Sequence, residues 1–121
     1  MKALLDTNVL VDYLRGVTGA REEIARYSPP AISLVTWMEI LVGAGTREEE
    51  RQLRRFLARF EVHPISAAIA ERAVAIRREG RQRLPDAIIW ATAQELNLIL
   101  VTRNTRDFPA DHPGIRVPYR V

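Results

Sequence analysis

Three acidic residues of this chain lie in apolar runs, where acids are least expected. Asp6 ends an N-terminal Ala-Leu-Leu run, Glu39 lies within the apolar stretch 33–42, and Asp86 precedes an Ala-Ile-Ile run. Ionised carboxylates are rarely buried without a partner that compensates their charge. The other acids of the chain lie mostly in polar segments. We therefore expect these three carboxylates to converge on a positive charge.

A divalent metal ion is the strongest candidate for that charge, because the chain has one lysine and its arginines lie mostly in polar segments. Mg²⁺ or Mn²⁺ prefers carboxylate oxygens and water, and usually keeps positions open for phosphate. Such a site can activate water and orient a phosphodiester. Zinc is disfavoured because the chain lacks cysteine and has only His63 and His112. Two histidines so far apart also disfavour histidine acid–base catalysis.

Each acid also has a simpler structural explanation to weigh. Asp6, between a strand and a helix, can be an ordinary N-cap. Asp86, one residue after Pro85, can complement a helix dipole. Its helix face continues through apolar residues, which argues for an inward direction: Ile89, Trp90 and Ala93. Glu39 is harder to explain as a structural residue, since the helical neighbours on its face are mostly apolar, whereas a solvated Glu would normally lie on a polar stripe.

The composition limits the class of protein. A chain of 121 residues with 47% hydrophobic and 27% charged residues is expected to fold as one globular domain over residues 1–121. No apolar run reaches the roughly 18 residues that span a bilayer, which excludes a membrane protein of that kind. The absence of cysteine removes disulfides, and with no signal sequence the expected location is the cytoplasm.

Basic residues exceed acidic ones, with a net charge of +3 and a pI of about 9.9, and all but one of the 18 basic residues are arginine. Arginine binds phosphate with two parallel hydrogen bonds, so this balance favours a nucleic-acid partner. A genome rich in G and C produces the same arginine bias. The charge therefore supports a nucleic-acid partner without establishing one.

Predicted strands alternate with predicted helices along the chain. Periodicity and turn residues place strands at 3–5, 31–33, 62–65, 98–101 and 115–117, and helices at 7–14, 19–27, 33–44, 46–60, 66–78 and 85–96. This alternation predicts an α/β sandwich with a mostly parallel central sheet flanked by helices. Ligands of such folds lie beyond the carboxyl ends of the strands, where Asp6 and the segment 102–107 are expected.

Four segments, taken in order, resemble the motifs of PIN-domain ribonucleases, and most closely those of VapC toxins from type II toxin–antitoxin pairs. They are Leu4-Leu5-Asp6-Thr7-Asn8-Val9-Leu10, the internal Glu39, Leu84-Pro85-Asp86-Ala87-Ile88-Ile89, and Leu100-Val101-Thr102-Arg103-Asn104-Thr105-Arg106-Asp107-Phe108. The resemblance covers essentially the whole chain. Each motif alone is weak, whereas the ordered set is specific.

The resemblance implies a Mg²⁺-dependent endoribonuclease, with Mn²⁺ as a possible substitute, whose catalytic and metal-binding acids are Asp6, Glu39 and Asp86. Either Asn104 or Asp107 fills the family's fourth acidic position. Thr7 or Asn8 can hydrogen-bond the water around the metal, unless both are ordinary first-turn residues. RNA is the implied substrate and an antitoxin protein the implied partner. A homodimer is also expected.

Two surfaces are predicted from the residues themselves. The basic turn before Asp86 places Arg81 and Arg83 where they can bind substrate phosphate, unless the turn is merely solvated. The helices 33–44 and 46–60 can form an apolar groove for an antitoxin helix. The groove would use Trp37, Leu53, Phe56 and Phe60. The alternative is that these side chains belong to the core, which is favoured for Leu53 and Phe56.

Other functions fit less well. A phosphorelay receiver domain needs a late lysine in its acidic pocket, but the only lysine is Lys2. A haloacid-dehalogenase-type phosphatase needs a second Asp where this chain has Asn8, and also a later lysine. The remaining alternatives are a PIN nuclease of RNA processing that has no antitoxin, and a PIN module that binds without cleaving.

Overall fold

The computed structural model describes residues 2–121, and Met1 lies outside the described residues. These described residues form six helices and five strands, with a pair of helices after each of the first three strands. The strands are β1 (Ala3–Leu5), β2 (Ala31–Ser33), β3 (Glu61–His63), β4 (Ile99–Val101) and β5 (Ile115–Arg116). The helices are α1 (Thr7–Leu14), α2 (Thr18–Ala25), α3 (Leu34–Val42), α4 (Arg47–Leu57), α5 (Ala67–Glu79) and α6 (Leu84–Glu95).

The five strands form one sheet in the order β3-β2-β1-β4-β5, and every pairing is parallel. Successive side chains of a strand point to opposite faces. Leu5 accordingly packs in the core beside α1, α2 and α4, whereas Leu4 packs on the other face with Ile89 and Trp90 of α6. The prediction of an α/β sandwich is confirmed, and the sheet is entirely rather than mostly parallel.

Local sequence signals set several helix starts. The Thr46 hydroxyl accepts a hydrogen bond from the Glu49 backbone amide at 3.1 Å and so caps α4, while the Glu49 carboxylate accepts from the Gly45 amide at 3.2 Å. Ser66 caps α5 in the same way through the Ile69 amide. Ser33 was assigned to the start of the third helix, and its side chain does accept from the Val35 amide. Each cap satisfies a backbone donor that the helix leaves unpaired.

The third strand was predicted at 62–65 but spans Glu61–His63. Its register follows β2, with Ala31 opposite Glu61 and Ser33 opposite His63. Pro64 has no amide hydrogen to donate, so it cannot extend the ladder. Similarly, the second helix ends at Ala25 rather than at residue 27. Phe60 lies beyond the end of α4 but remains buried.

Two buried carboxylates were not singled out in the sequence. Asp12 on α1 accepts two hydrogen bonds from Arg103, at 2.6 and 3.0 Å, and one from the Tyr119 hydroxyl at 2.8 Å. Glu23 on α2 is bound in the same manner by Arg116, at 2.8 and 3.0 Å, and by the Tyr27 hydroxyl at 2.7 Å. These two triads join helices near the start of the chain to segments near its end.

In residues 2–121 no helix is long and apolar enough to cross a membrane.

Candidate active site

Asp6 lies at the carboxyl end of β1, where the chain turns into α1, and only 4% of its surface is exposed. One carboxylate oxygen accepts from the Thr7 amide at 2.7 Å, and the other accepts from the Thr102 hydroxyl at 2.7 Å. Burial raises the pKa of Asp6 from 3.8 to about 6, and these hydrogen bonds offset the rise only in part. The carboxylates of Asp86 and Glu39 raise it further.

Asp6 is therefore an N-cap by position, but capping alone does not account for its surroundings. A carboxylate that only capped a helix would have its pKa lowered by amide hydrogens and the helix dipole. Here the net shift is upward, because the group is enclosed and two other acids lie nearby. Asp6 is thus a buried acid that lacks a compensating positive charge of sufficient strength.

Glu39 comes from α3 and is exposed. Two apolar neighbours on the same helix are exposed with it, Met38 by 42% and Val42 by 84%. The Glu39 side chain is nevertheless held at the site, because the Thr7 hydroxyl donates to it at 2.7 Å. Thr36, 2.9 Å from the same hydroxyl, must then be the donor to Thr7.

Asp86 lies in the first turn of α6 and is half-buried. Burial raises its pKa, and the carboxylates of Glu39 and Asp107 raise it further, whereas Arg83 lowers it. The three acids singled out in the sequence thus influence one another at the carboxyl edge of the sheet. They come from the N-cap of α1, from α3 and from α6, and Asp107 lies close enough to raise the pKa of Asp86.

The loop that follows β4 supplies the fourth part of the site. The Asn104 side chain donates to the Asp107 carboxylate at 3.0 Å and accepts from the Asp107 amide at 3.2 Å. The Asn104 backbone amide donates to the Thr102 hydroxyl at 3.0 Å. Asn104 therefore holds Asp107 beside Asp86 instead of presenting a charge itself.

Three residues of this arrangement were missed by the reasoning from sequence. Thr102 donates to Asp6 and so joins it to the β4 loop. Thr36 hydrogen-bonds to Thr7 and orients its hydroxyl. The Gln82 side-chain amide donates to the Asp107 backbone carbonyl at 2.7 Å. Thr102 had a usable signal, because it directly follows a strand whose carboxyl end was expected at the site. Thr36 and Gln82 had none, since their partners are distant in the chain.

Arg81 and Arg83 are both exposed on the turn between α5 and α6. Arg83 is the N-cap residue of α6, and its charge reaches Asp86. Gly80 begins this turn in a tight position, because a Cβ added there would lie 3.1 Å from the Ile76 carbonyl oxygen. The Gln82 side chain on this turn donates to the Asp107 carbonyl, so the turn lies beside the acids while the Arg81 and Arg83 guanidinium groups remain open to solvent.

The predicted apolar groove is largely core. Phe56 and Phe60 are buried, and Tyr13 stacks on Phe56. Trp37 and Leu53 are only partly buried, and the Arg54 guanidinium lies over the Trp37 ring at 5.4 Å. Of the four groove residues, only Trp37 and Leu53 thus retain exposed surface.

The donor set fits a hard divalent cation, since every side chain of the group offers oxygen. Among residues 2–121 no three His, Asp or Glu side chains are already gathered around a single metal-sized position. Like charges repel, and the carboxylates of this group accordingly raise one another's pKa: Asp86 and Glu39 that of Asp6, and Glu39 and Asp107 that of Asp86. Cation binding would relieve the repulsion and favour convergence.

Comparison with known proteins agrees with this architecture. The PIN domain family matches residues 3–110. The chain is 39% identical to Ribonuclease VapC10 of Mycobacterium tuberculosis over 88% of this chain and 85% of the relative. It is 34% identical to the tRNA(fMet)-specific endonuclease VapC of Shigella flexneri, over 89% and 90% of the two chains.

A solved structure is also similar. It is described as a toxin-antitoxin complex from Klebsiella pneumoniae, and one of its chains matches with a TM-score of 0.90 and 48% identity. The match covers 98% of this chain and 99% of that one. Fold, order of motifs and whole-length similarity agree, and the chain belongs to the PIN-domain family and, within it, to the VapC ribonucleases.

Proposed function

We propose that this protein is a Mg²⁺-dependent endoribonuclease and the toxin of a type II toxin–antitoxin pair. The observation that supports the proposal is the electrostatic influence among Asp6, Glu39 and Asp86 at the carboxyl end of a parallel sheet: Asp86 and Glu39 raise the pKa of Asp6, and Glu39 also raises that of Asp86. Ligands of parallel α/β folds bind at that edge. The relatives named as ribonucleases support the same reaction class.

In the proposed reaction Asp6, Glu39 and Asp86 hold the metal, and Asp107 assists them from the β4 loop. When bound, Mg²⁺ lowers the pKa of coordinated water and neutralises charge on a phosphodiester. Thr7 and Thr36 orient Glu39, while Thr102 orients Asp6. Raised carboxylate pKa values are typical of acids kept close together at a functional site.

RNA cleavage that requires a divalent metal would test the proposal directly. The purified chain should cleave RNA with Mg²⁺ or Mn²⁺ and stop when EDTA removes the ion. The Shigella relative is named for tRNA(fMet), so that tRNA belongs among the substrates to be tried. RNA binding without cleavage under all metal conditions would favour the non-cleaving PIN module instead.

The toxin role rests on a partner that restrains the enzyme. Co-expression with the product of a neighbouring small gene should yield a stable complex with no ribonuclease activity, as the toxin-antitoxin complex from Klebsiella pneumoniae suggests. We place the activity in the cytoplasm and expect a homodimer, which light scattering can measure. Ribonuclease activity with no restraining partner and no growth arrest would favour an RNA-processing nuclease.

Substrate phosphate is expected to bind Arg81 and Arg83 on the turn before α6. Replacing both with Ala should weaken RNA binding and reduce the slope of log affinity against log salt by up to about 1.4, since each single-strand phosphate contact contributes roughly 0.7. Filter binding at several salt concentrations measures both quantities. The control is Arg51→Ala with Arg55→Ala on α4, where both residues are exposed. An unchanged slope in the Arg81 and Arg83 variant would show that the turn is only solvated.

A further inference from the structure

Two arginine–carboxylate–tyrosine triads have nearly the same geometry. In each, one arginine makes two hydrogen bonds to a carboxylate and a tyrosine hydroxyl makes a third. The carboxylate side chains are each 4% exposed, and the arginine side chains are 33% and 32% exposed. Buried ion pairs of equal burial and geometry are expected to have similar effects on overall stability.

The triads differ in what their arginines are attached to. Arg103 lies between Thr102, which bonds to Asp6, and Asn104, which holds Asp107. Arg116 lies in β5, and its guanidinium bonds to Glu23 on α2. Its backbone carbonyl does accept from the Thr102 amide at 3.0 Å, but that bond does not depend on the side chain. Only the first triad has its arginine in the loop at the acidic site.

Arg103 is held to α1 at two places. Its guanidinium binds Asp12, and its backbone amide donates to the Asn8 side chain at 3.2 Å. At the far end of the loop, Phe108 is fully buried against Trp90. Thr105 and Arg106, between these anchors, are exposed. The position of Asn104 and Asp107 therefore depends on an ionic anchor at one end and an apolar anchor at the other.

Tyr119 completes the ionic anchor from the opposite side. Its ring packs on Gly19, where an added Cβ would lie only 2.8 Å from the ring, so a larger residue would push the tyrosine away. Its hydroxyl and the Arg103 guanidinium share the Asp12 carboxylate. Because Asp12 is buried, water cannot replace either donor without opening the segment.

We infer that Asp12, Arg103 and Tyr119 form a positioning device that places the β4 loop, with Asn104 and Asp107, beside Asp6 and Asp86. This inference rests on the proposed metal-dependent function. None of the three residues touches the reacting atoms; they act through the loop. Partners that orient metal ligands in this way typically contribute a factor of about 10 to 100 in metal affinity.

The matched pair Arg103→Gln and Arg116→Gln tests the inference, because each removes one arginine of a triad and leaves a side chain that can still donate one hydrogen bond. We expect Arg103→Gln to weaken Mn²⁺ binding, measured by calorimetry, by about 10-fold or more. Arg116→Gln should lose similar thermal stability and leave Mn²⁺ affinity unchanged. Arg103→Lys should recover only part of the affinity, because an ammonium cannot make the two-pronged contact.

A second measurement needs no metal. Hydrogen exchange of the metal-free protein should show faster exchange at the Arg103 and Asn104 amides in Arg103→Gln but not in Arg116→Gln. If either Gln variant fails to fold, the milder pair Tyr119→Phe and Tyr27→Phe replaces it. In this pair we expect only Tyr119→Phe to weaken Mn²⁺ binding and to speed hydrogen exchange at the backbone amides of residues 103 and 104.

The outcomes separate the inference from the function beneath it. If both members of a pair weaken Mn²⁺ binding equally, or neither does, the triad acts only through stability and the inference is overturned. If the unsubstituted chain binds no Mn²⁺, the proposed metal site fails. The exchange measurement then still decides whether Arg103 positions the loop.

Discussion

Replacing Asp86 with Asn is expected to lower the rate of RNA cleavage by at least about 100-fold, the scale for losing one group that stabilises charge in a transition state. The substitution keeps the size of the side chain and removes one negative charge from the metal-binding group. In the metal-free protein it should not destabilise the fold. Burial and the carboxylates of Glu39 and Asp107 raise the pKa of Asp86, so its negative charge destabilises the metal-free fold and removing that charge should not cost stability.

Two measurements together distinguish lost chemistry from lost structure. Without metal, the melting temperature of Asp86→Asn should equal or slightly exceed that of the unsubstituted protein. Added Mg²⁺ should raise the melting temperature of the unsubstituted protein more than that of the variant. Asp111→Asn, which neutralises an exposed acid in the connection between β4 and β5, is the control and should retain full activity. Full metal-dependent cleavage by Asp86→Asn would refute the assigned role.

Replacing Glu23 with Ala is expected to lower the free energy of unfolding by about 3 kcal/mol, the lower end of the range for breaking a buried ion pair. The change leaves the Arg116 guanidinium without its carboxylate and the Tyr27 hydroxyl without its acceptor. Glu22→Ala, one residue earlier on the same helix but exposed, should lower the free energy of unfolding far less. Urea denaturation of the two variants measures the difference.

The same carboxylate should influence stability in acid. Burial alone would raise the pKa of Glu23, but the hydrogen bonds from Arg116 and Tyr27 outweigh burial and lower it below 4.5. Its contribution is thus complete above its ordinary pKa and is lost as the pH falls through the lowered value. The stability of Glu23→Ala should therefore depend less on pH in the acid range. Equal acid sensitivity in both proteins would contradict this assignment.

Much of the fold was predictable because its signals are local. The Thr46 cap, the strand before Asp6 and the proline before Asp86 all act within a few residues. The carboxyl ends of parallel strands then meet at one edge whatever the details of packing, which is why Asp6 and the β4 loop could be placed together.

The remainder depends on contacts that leave no local signal. Glu39 was singled out because the helix face around it is mostly apolar, but α3 exposes Met38 and Val42 beside it. Asp12 and Glu23 resemble ordinary acids on short helices, since their arginines lie 91 and 93 residues further along the chain. Only the folded arrangement of α1, α2 and the last strands brings these charges together.

The long sequence separations between residues that contact one another have a consequence for synthesis of the protein. Asp6 meets Thr102 across 96 residues, and Asp12 meets Tyr119 across 107 residues. A chain emerges from the ribosome with its N-terminal part first, so all three candidate acids appear well before their supporting loop. A nascent chain that ends after α6 carries Asp6, Glu39 and Asp86 but has neither Thr102 nor Asp107 to complete their surroundings. Nuclease activity would therefore arise late in translation, when the segment 102–119 has been added.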